Sequence, residues 1–177
     1  MTVTPITTPQ KQQIIERVAE LLLQSAQHFD RSFKPIDIRF DLSGRVSGMY
    51  VRKHKQRYLR FNPYIFSKYF ADSLTSTVPH EVAHYVADMI FGLRNIRPHG
   101  REWQAIMHKL GVEPRVTGNY DLDGIPVKRQ RRFAYVCNCM SHQLTTVRHN
   151  RIVKKQARYF CRKCGVALTQ QEQLLPE

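Results

Sequence analysis

The sequence predicts an α+β fold, in which a small antiparallel sheet packs against helices and a short cysteine-containing ribbon follows. Three observations support this prediction. Within the first 124 residues, segments with apolar residues at helical spacing flank segments in which apolar and polar residues alternate. All four cysteines of the 177-residue chain come later, and most of the net positive charge lies with them. A composition change near Gly124 therefore predicts two domains, residues 1–124 and 125–177.

Three helices are predicted in the first domain. Thr8 is expected to cap the first helix, and apolar residues then recur at helical spacing to about His28. The second helix is expected to run from about Asp72 or Thr75 to Phe91. Pro79 lies within its pattern, so this helix either begins just before Pro79 or bends there. The third helix is expected over about 99–110.

The strands are predicted between the first two helices. Alternating apolar residues occur in 36–40, and further strand-like runs cover 49–51 and 58–61. The basic turn Arg52–Lys55 separates the last two runs, and Asn62-Pro63 is expected to end the sheet.

The chain is strongly basic, and its charge is unevenly distributed. Lys and Arg number 28 and Asp and Glu 14, which gives a formal charge of +14. Residues 127–177 contain eleven of the bases and two of the acids, so +9 of that charge lies in under a third of the chain. Such a surface attracts polyanions, and we expect a nucleic-acid partner there. The alternative is a charged surface that only favours solubility. The turn Arg52–Lys55 either extends the nucleic-acid surface or faces solvent.

The N-terminal residues resemble neither a signal peptide nor a membrane anchor. Met1–Gln12 has no basic region followed by an apolar stretch, and no window approaches the roughly 18 apolar residues of a membrane span. We therefore expect a cytoplasmic protein with no membrane partner.

His80, Glu81 and His84 form the pattern H-E-x-x-H. On a helix, residues four apart share one face, so both imidazoles can bind one ion. Zinc suits these ligands, and it lowers the pKa of water to about 7. Glu81, beside the first ligand, can then accept a proton from that water. The alternative is a helix that carries these residues by chance. The surrounding sequence is largely apolar, which argues against it because buried His and Glu need partners.

A third protein ligand is expected downstream of this helix. His99 is our first choice, because a turn would let the next helix fold back over the first, and Glu102 is the alternative. Trp103 is expected to pack between the two helices beneath the metal. Asp88, four residues after His84, is either a hydrogen-bond acceptor for a ligand imidazole or, as we favour, a surface carboxylate.

The two motifs His80-Glu81-Val82-Ala83-His84 and His99-Gly100-Arg101-Glu102-Trp103 together resemble the SprT family of zinc metallopeptidases. The resemblance covers roughly residues 36–168. It implies that His80, His84 and His99 are ligands of a catalytic zinc and that Glu81 is the catalytic residue. The length and cysteine cluster resemble the bacterial branch. Eukaryotic relatives cleave proteins crosslinked to DNA, which implies a similar class of substrate here.

The cysteines form two close pairs, Cys137-x-Cys139 and Cys161-x-x-Cys164. In a cytosolic chain this spacing indicates a structural zinc site and not disulfides. The first pair is one residue shorter than usual in zinc ribbons, so a site in which His142 replaces one thiol is the alternative. Four free thiols are the remaining possibility.

The ribbon is expected to form from strands at Phe133–Val136 and Arg158–Phe160, with the basic segment Arg148–Lys155 at a hairpin tip. Aromatic residues lie among these bases, and they either stack on nucleobases or form the core of the ribbon.

These features predict a zinc-dependent endopeptidase, with one catalytic and one structural zinc, that acts on DNA-associated or DNA-crosslinked proteins. The oxyanion partner is not identified by sequence, although Tyr120 and Arg101 are candidates. The alternative function is a nucleic-acid-binding regulator with weak or unused peptidase activity.

Overall fold

A computed structural model describes residues 2–116, 120–127 and 131–171. The chain divides into two compact units, Met1–Val127 and Lys128–Glu177. Helices and small sheets make up both, so the fold is α+β. Within the described ranges, no helix has the length and hydropathy needed to cross a bilayer.

The first unit begins with helix α1, Thr8–Phe29. Its N-cap is Thr7, one residue before the predicted cap, because the Thr7 Oγ1 accepts the Gln10 N–H while the Gln10 side chain accepts the Thr7 N–H. The apolar face of α1 is buried as the periodicity predicts. The helix ends at Asp30, whose φ of 45° lies in the left-handed region.

The sheet of the first unit is mixed, whereas the sequence analysis predicts an antiparallel one. It consists of β1 (Asp37–Arg39), β2 (Gly48–Lys53) and β3 (Gln56–Phe61), in the order β1-β3-β2. A hairpin joins β2 and β3 antiparallel, but β1 pairs with β3 in parallel. The antiparallel prediction is wrong for β1, because the chain crosses to the far edge before it forms the hairpin. Strand β2 is consequently an edge strand.

Asn62 follows the sheet and fixes the loop that leads into β2. Its Oδ1 accepts two N–H groups at the start of helix α2, Pro63–Lys68. Its Nδ2 donates to the carbonyls of Gly44 and Val46. The buried Asn62 amide therefore joins the start of α2 to the segment before the edge strand.

The central helix α4, Val78–Phe91, follows a short helix α3 (Phe70–Asp72) and a π-helical turn (Ser73–Thr77). Pro79 lies in its first turn, where its missing N–H needs no partner, so the helix begins just before this residue. Helix α5, Arg101–Lys109, is shorter than predicted and begins after His99. The core lies between α1, α4, α5 and the sheet, and among its fully buried side chains are Ile14, Leu21, Leu59, Phe61, Val82, Trp103 and Ile106.

The described residues of the second unit, 131–171, form a three-stranded antiparallel sheet and one helix. The strands are β4 (Arg132–Val136), β5 (Ser141–Thr145) and β6 (Thr169–Gln170), in the order β5-β4-β6. The helix α6, Thr146–Val153, occupies the segment predicted as a hairpin tip. That prediction is wrong because the Thr145 Oγ1 caps the segment by accepting the Arg148 N–H.

The predicted strand at Arg158–Phe160 is also absent from the described part of the second unit. Phe160 forms only an isolated bridge with Ala167, next to the second cysteine pair. The aromatic residues differ in their environment: Tyr135 is fully buried in the small core, whereas Phe160 is 58% exposed.

Candidate metal centre

Three histidine side chains of the first unit converge on one point. His80 and His84 lie one turn apart on α4, and His99 precedes α5. The Nε2 atoms of His80 and His84 are 3.2 Å apart, and that of His99 lies 3.0 Å from each of them. The structure thus brings together the three imidazoles that the sequence analysis selects.

This arrangement fits a zinc ion. Zinc–nitrogen bonds of about 2.0–2.1 Å with tetrahedral angles place ligand nitrogens about 3.3 Å apart, close to the observed separations. The His80 Nδ1 lies 3.2 Å from the Arg115 carbonyl. Because a carbonyl only accepts, Nδ1 carries the proton and Nε2 presents its lone pair. Neighbouring nitrogen lone pairs at these distances repel each other unless a cation lies between them.

Burial keeps the imidazoles in the form that binds metals. Burial, together with the charge on neighbouring imidazoles, lowers the pKa of His84 to about 3 and that of His80 to about 4. Burial also lowers the pKa of His99. Since neutral imidazole is the metal-binding form, all three can act as ligands at neutral pH.

Trp103 supports this cluster from below, as predicted. Its Nε1 donates to the His80 carbonyl at 3.2 Å. Its ring centroid lies 4.7, 5.6 and 4.8 Å from those of His80, His84 and His99. One buried indole on α5 therefore contacts all three imidazoles and restricts their rotation.

The backbone before α5 directs His99 toward the cluster. His99 has a φ of 56°, in the left-handed region that non-glycine residues rarely adopt. The Gln104 side chain donates to its carbonyl at 3.1 Å. Glu102, the alternative ligand, instead accepts from the Arg101 Nε at 2.9 Å.

Glu81 lies beside the cluster, and it accepts a hydrogen bond from a strand residue that the sequence pattern did not reveal. Its side chain is buried, and Oε2 accepts the backbone N–H of Tyr50 at 2.6 Å. Burial raises the pKa of Glu81 to about 7, although the Tyr50 N–H opposes this shift. The carboxyl group therefore exchanges its proton near neutral pH.

Gly48 on β2 makes the approach of Glu81 possible. A Cβ at this position would lie 2.8 Å from the Glu81 Cγ and 2.7 Å from the Thr77 Cγ2, closer than such atoms approach. A glycine inside a strand pattern often marks such a close approach, so this residue was a usable signal in the sequence.

Both interpretations of Asp88 are wrong. Its side chain is 0% exposed, so it is no surface carboxylate. It also accepts no hydrogen bond from a described imidazole. Its oxygens instead accept from the Tyr50 hydroxyl at 2.7 Å and from the guanidinium groups of Arg52 and Arg57 at 2.9 and 2.7 Å. Burial alone would raise the pKa of Asp88, but the Tyr50 and Arg57 hydrogen bonds lower it below its usual value.

A cleft of two adjoining cavities passes over the candidate metal centre. The first, of about 380 Å³, contains the three imidazoles, and its walls come from β2 and from residues 93–99. The second, of about 680 Å³, is lined by residues 45–48 and by residues of other segments that include Thr77 and Arg115. Gly48, His80 and Glu81 line both cavities, so the cavities meet at the residues of the H-E-x-x-H pattern.

The two candidate oxyanion partners differ in position. Tyr120 lines the second cavity, and its hydroxyl donates to the Asp72 carboxylate at 2.7 Å. Arg101 is exposed, pairs with Glu102, and lines neither cavity. Only Tyr120 is therefore placed at the cleft.

The four cysteines of the second unit also converge. Their Sγ atoms all lie within 4.8 Å of one another. The Cys139 Sγ lies 3.5 Å from that of Cys137 and 3.7 Å from that of Cys161. Zinc–sulfur bonds of about 2.3 Å with tetrahedral angles place sulfurs about 3.8 Å apart, so the cluster fits a zinc ion.

His142 lies at the rim of this cluster. Its Nε2 is 3.3 Å from the Cys137 Sγ. The backbone N–H of Cys139, with help from His142, lowers the pKa of Cys137 to about 5, and the Cys164 N–H lowers that of Cys161. Thiolates are the metal-binding form, so these contacts favour a metal.

Comparison with known proteins identifies the family. The model of the SprT-like family matches residues 18–131, which include α4, α5 and the three imidazoles. The chain belongs to the SprT-like family. The resemblance stated from the two histidine motifs is confirmed.

Bacterial proteins named Protein SprT match along most of this SprT-like chain. The one from Shewanella oneidensis is 36% identical over 160 residues, 90% of this chain and 98% of its own length. The one from Pseudomonas paraeruginosa is 38% identical over 158 residues, 86% of this chain and 90% of its own. No solved structure matches.

Proposed function

We propose that this SprT-like protein is a zinc-dependent endopeptidase that acts on DNA-associated or DNA-crosslinked proteins. The observation that carries the proposal is the convergence of three imidazole nitrogens within 3.2 Å, beside a buried glutamate and in an open cleft. A structural metal site would need neither the glutamate nor the cleft.

Each residue of the cluster has a distinct role in this proposal. His80, His84 and His99 would hold the zinc ion, which when bound would polarise the scissile carbonyl and lower the pKa of water to about 7. Glu81 takes a proton from the attacking water and delivers it to the leaving amine. One water is consumed, and a carboxylate and an amine are released. The Tyr50 N–H holds the Glu81 carboxylate in one orientation during both transfers.

The cleft suits an extended polypeptide. Its wall is the edge strand β2 with the residues before it, and one side of β2 has no strand partner among the described residues. Such an edge offers N–H and C=O groups to a peptide backbone, which supplies binding without a deep side-chain pocket. A cleft of this kind accommodates many sequences.

Replacing Glu81 tests the peptidase proposal. The zinc-loaded protein would be incubated with DNA and a DNA-binding substrate protein, beside Glu81→Gln and the matched control Glu16→Gln on the exposed face of α1. Loss of a general base is expected to slow cleavage about 10²- to 10⁴-fold, while the control cleaves normally. Equal cleavage by Glu81→Gln would exclude Glu81 as the base.

The second unit is the proposed nucleic-acid-binding part. Its basic side chains on and after α6 and beside Cys161 are exposed, namely Arg148, Arg151, Lys154, Lys155, Arg158, Arg162 and Lys163. A zinc ion on the four cysteines would stabilise the loops that carry these basic side chains. Binding to DNA would bring the peptidase to proteins attached to it.

The salt dependence of DNA affinity tests this part. Neutralising four bases is expected to reduce the slope of log affinity against log salt by up to about 3, since each phosphate contact contributes about 0.7 to 0.9. The variant carries Gln at Arg148, Arg151, Lys154 and Lys155, and the control carries Gln at four exposed bases of the first unit, Arg31, Lys34, Arg94 and Lys109. Equal slopes would contradict the assignment. Tight DNA binding without any cleavage would favour the alternative, a nucleic-acid-binding regulator.

A further inference from the structure

The two cavities of the cleft differ in the number of arginines that line them. The second cavity contains two arginines, Arg45 and Arg115, both exposed at its surface. Among the described residues, neither guanidinium takes part in an ion pair. The first cavity has one arginine, Arg97, among mainly apolar side chains, which are Met49, Leu93, Ile96 and Pro98.

The acidic residues of the second cavity already have hydrogen-bond donors. The Asp72 Oδ2 accepts from the Tyr120 hydroxyl at 2.7 Å and from the Ser76 hydroxyl at 3.2 Å. The Glu81 Oε2 accepts from the Tyr50 N–H. Asp72 keeps its negative charge in these hydrogen bonds, but neither arginine forms an ion pair with it among the described residues. Both guanidinium groups can therefore contact a ligand carboxylate directly, whereas the first cavity offers one arginine.

Both arginines lie close to the residues proposed for catalysis. Arg45 precedes Gly48 by three residues, so their Cα atoms are at most about 11 Å apart. The Arg115 carbonyl accepts from the His80 imidazole at 3.2 Å, which places its backbone against a proposed zinc ligand. An extended peptide that lies along residues 45–50 has about the same rise per residue as those residues themselves. A peptide side chain within about three residues of the scissile bond then reaches these guanidinium groups.

We propose that Arg45 and Arg115 make this cleft selective for polypeptides with an acidic side chain within three residues of the scissile bond, on the side that occupies the second cavity. This inference rests on the proposed peptidase function. A guanidinium group binds a carboxylate in a bidentate geometry that an uncharged amide cannot reproduce. The two arginines therefore determine specificity and take no part in the reaction itself.

Matched peptides test the selectivity. Each fluorogenic peptide carries one Asp, placed at one of three positions on either side of a common scissile bond, and is compared with the same peptide carrying Asn. We expect kcat/KM to favour Asp by about fivefold on one side only, since each exposed ion pair contributes little and two contribute together. The preference is expected to decrease with added salt.

Charge reversal identifies the residues responsible. The double variant Arg45→Glu and Arg115→Glu is expected to lose the preference for Asp and to favour Lys over Gln at the same positions. The single variants to Gln are expected to show part of the loss. Arg31→Glu, outside both cavities, is the control for net charge and should retain the preference. Far-ultraviolet circular dichroism and thermal melts establish that each variant is folded.

Binding measurements separate this inference from the proposed function. The same peptides, labelled for fluorescence anisotropy, are titrated into zinc-loaded Glu81→Gln protein. If no peptide is cleaved by the wild type but Asp peptides still bind more tightly on one side, the selectivity stands and the peptidase proposal fails. Equal affinity for Asp and Asn peptides, or a preference retained by the charge-reversal variant, would overturn the assignment of Arg45 and Arg115.

Discussion

The buried Asp88 carboxylate connects α4 to strands β2 and β3, and replacing it by Ala should destabilise the first unit. Its oxygens accept hydrogen bonds from Tyr50, Arg52, Arg57 and the Leu93 N–H. Asp88→Ala would leave these donors without a common acceptor. Because Tyr50 also donates its own N–H to Glu81, the substitution should loosen β2 at the candidate active site.

The magnitude follows from the exposure of each partner. The side chains of Arg52 and Arg57 are 37% and 29% exposed, so both regain water and each contributes only about 0.5–1 kcal/mol. The Tyr50 and Leu93 hydrogen bonds to a charged acceptor contribute about 1–2 kcal/mol each. We expect Asp88→Ala to lower the free energy of unfolding by about 3–6 kcal/mol in total. For a unit of this size the corresponding decrease in Tm is about 10–20 °C.

Urea unfolding of the zinc-loaded protein measures this change. Trp103, the only tryptophan, is buried against the imidazoles and reports unfolding through its fluorescence. The matched control is Asp37→Ala, which removes the exposed ion pair with Arg39 and should change stability by less than about 0.5 kcal/mol. An Asp88→Ala protein as stable as the Asp37→Ala control would refute this account of Asp88.

The pH dependence of stability gives a second measurement. The folded protein lowers the pKa of Asp88, so its stabilisation is complete above the unfolded pKa of about 3.9 and is lost as pH falls through the lower folded value. The difference in stability between wild type and Asp88→Asn should therefore be largest near neutral pH and decrease below about pH 4. A difference that increases on acidification would show that the carboxylate is not the stabilising form.

Four further substitutions test the two candidate metal sites and the position of Glu81. Gly48→Ala should displace Glu81 and lower peptidase activity about 10- to 100-fold while the zinc content is unchanged. Normal activity would show that the close approach between residue 48 and Glu81 is not needed. His99→Ala should lower the zinc content of the first site, measured by elemental analysis, whereas Glu102→Ala should not; the reverse result would assign the third ligand to Glu102. Cys161→Ser should reduce the expected two zinc ions per chain to one and unfold the second unit. Unfolding would be measured as a loss of the near-ultraviolet circular dichroism signal. A stoichiometry of two zinc ions per chain would exclude Cys161 as a ligand.

Local rules explain which predictions from the sequence were accurate. The cap near Thr7, the start of α4 at Pro79 and the pairing of His80 with His84 depend on contacts within four residues. The same local rules could have indicated α6, because Thr145 is a typical N-cap. The prediction of a hairpin tip at Arg148–Lys155 did not use that signal.

Long-range contacts explain the wrong predictions. The parallel pairing of β1 depends on where the chain crosses the sheet, which no strand pattern encodes. Asp88 is an ordinary carboxylate on a helix until β2 and β3 pack against it and bury it with two arginines. Its burial depends on donors more than thirty residues away.

The sequence by itself determined which side chains can bind metal in this protein. These are two imidazoles on one helix with a carboxyl group beside them, two candidates for the third ligand, and four thiols in two pairs. These follow from the chemistry of the side chains and the period of the helix. Only the tertiary structure placed His99 at the cluster, held Glu81 with the Tyr50 N–H, and made β2 the wall of a cleft with two arginines on one side. Those features arise where segments distant in sequence pack together, and packing surfaces are selected by the whole chain and not by any local pattern.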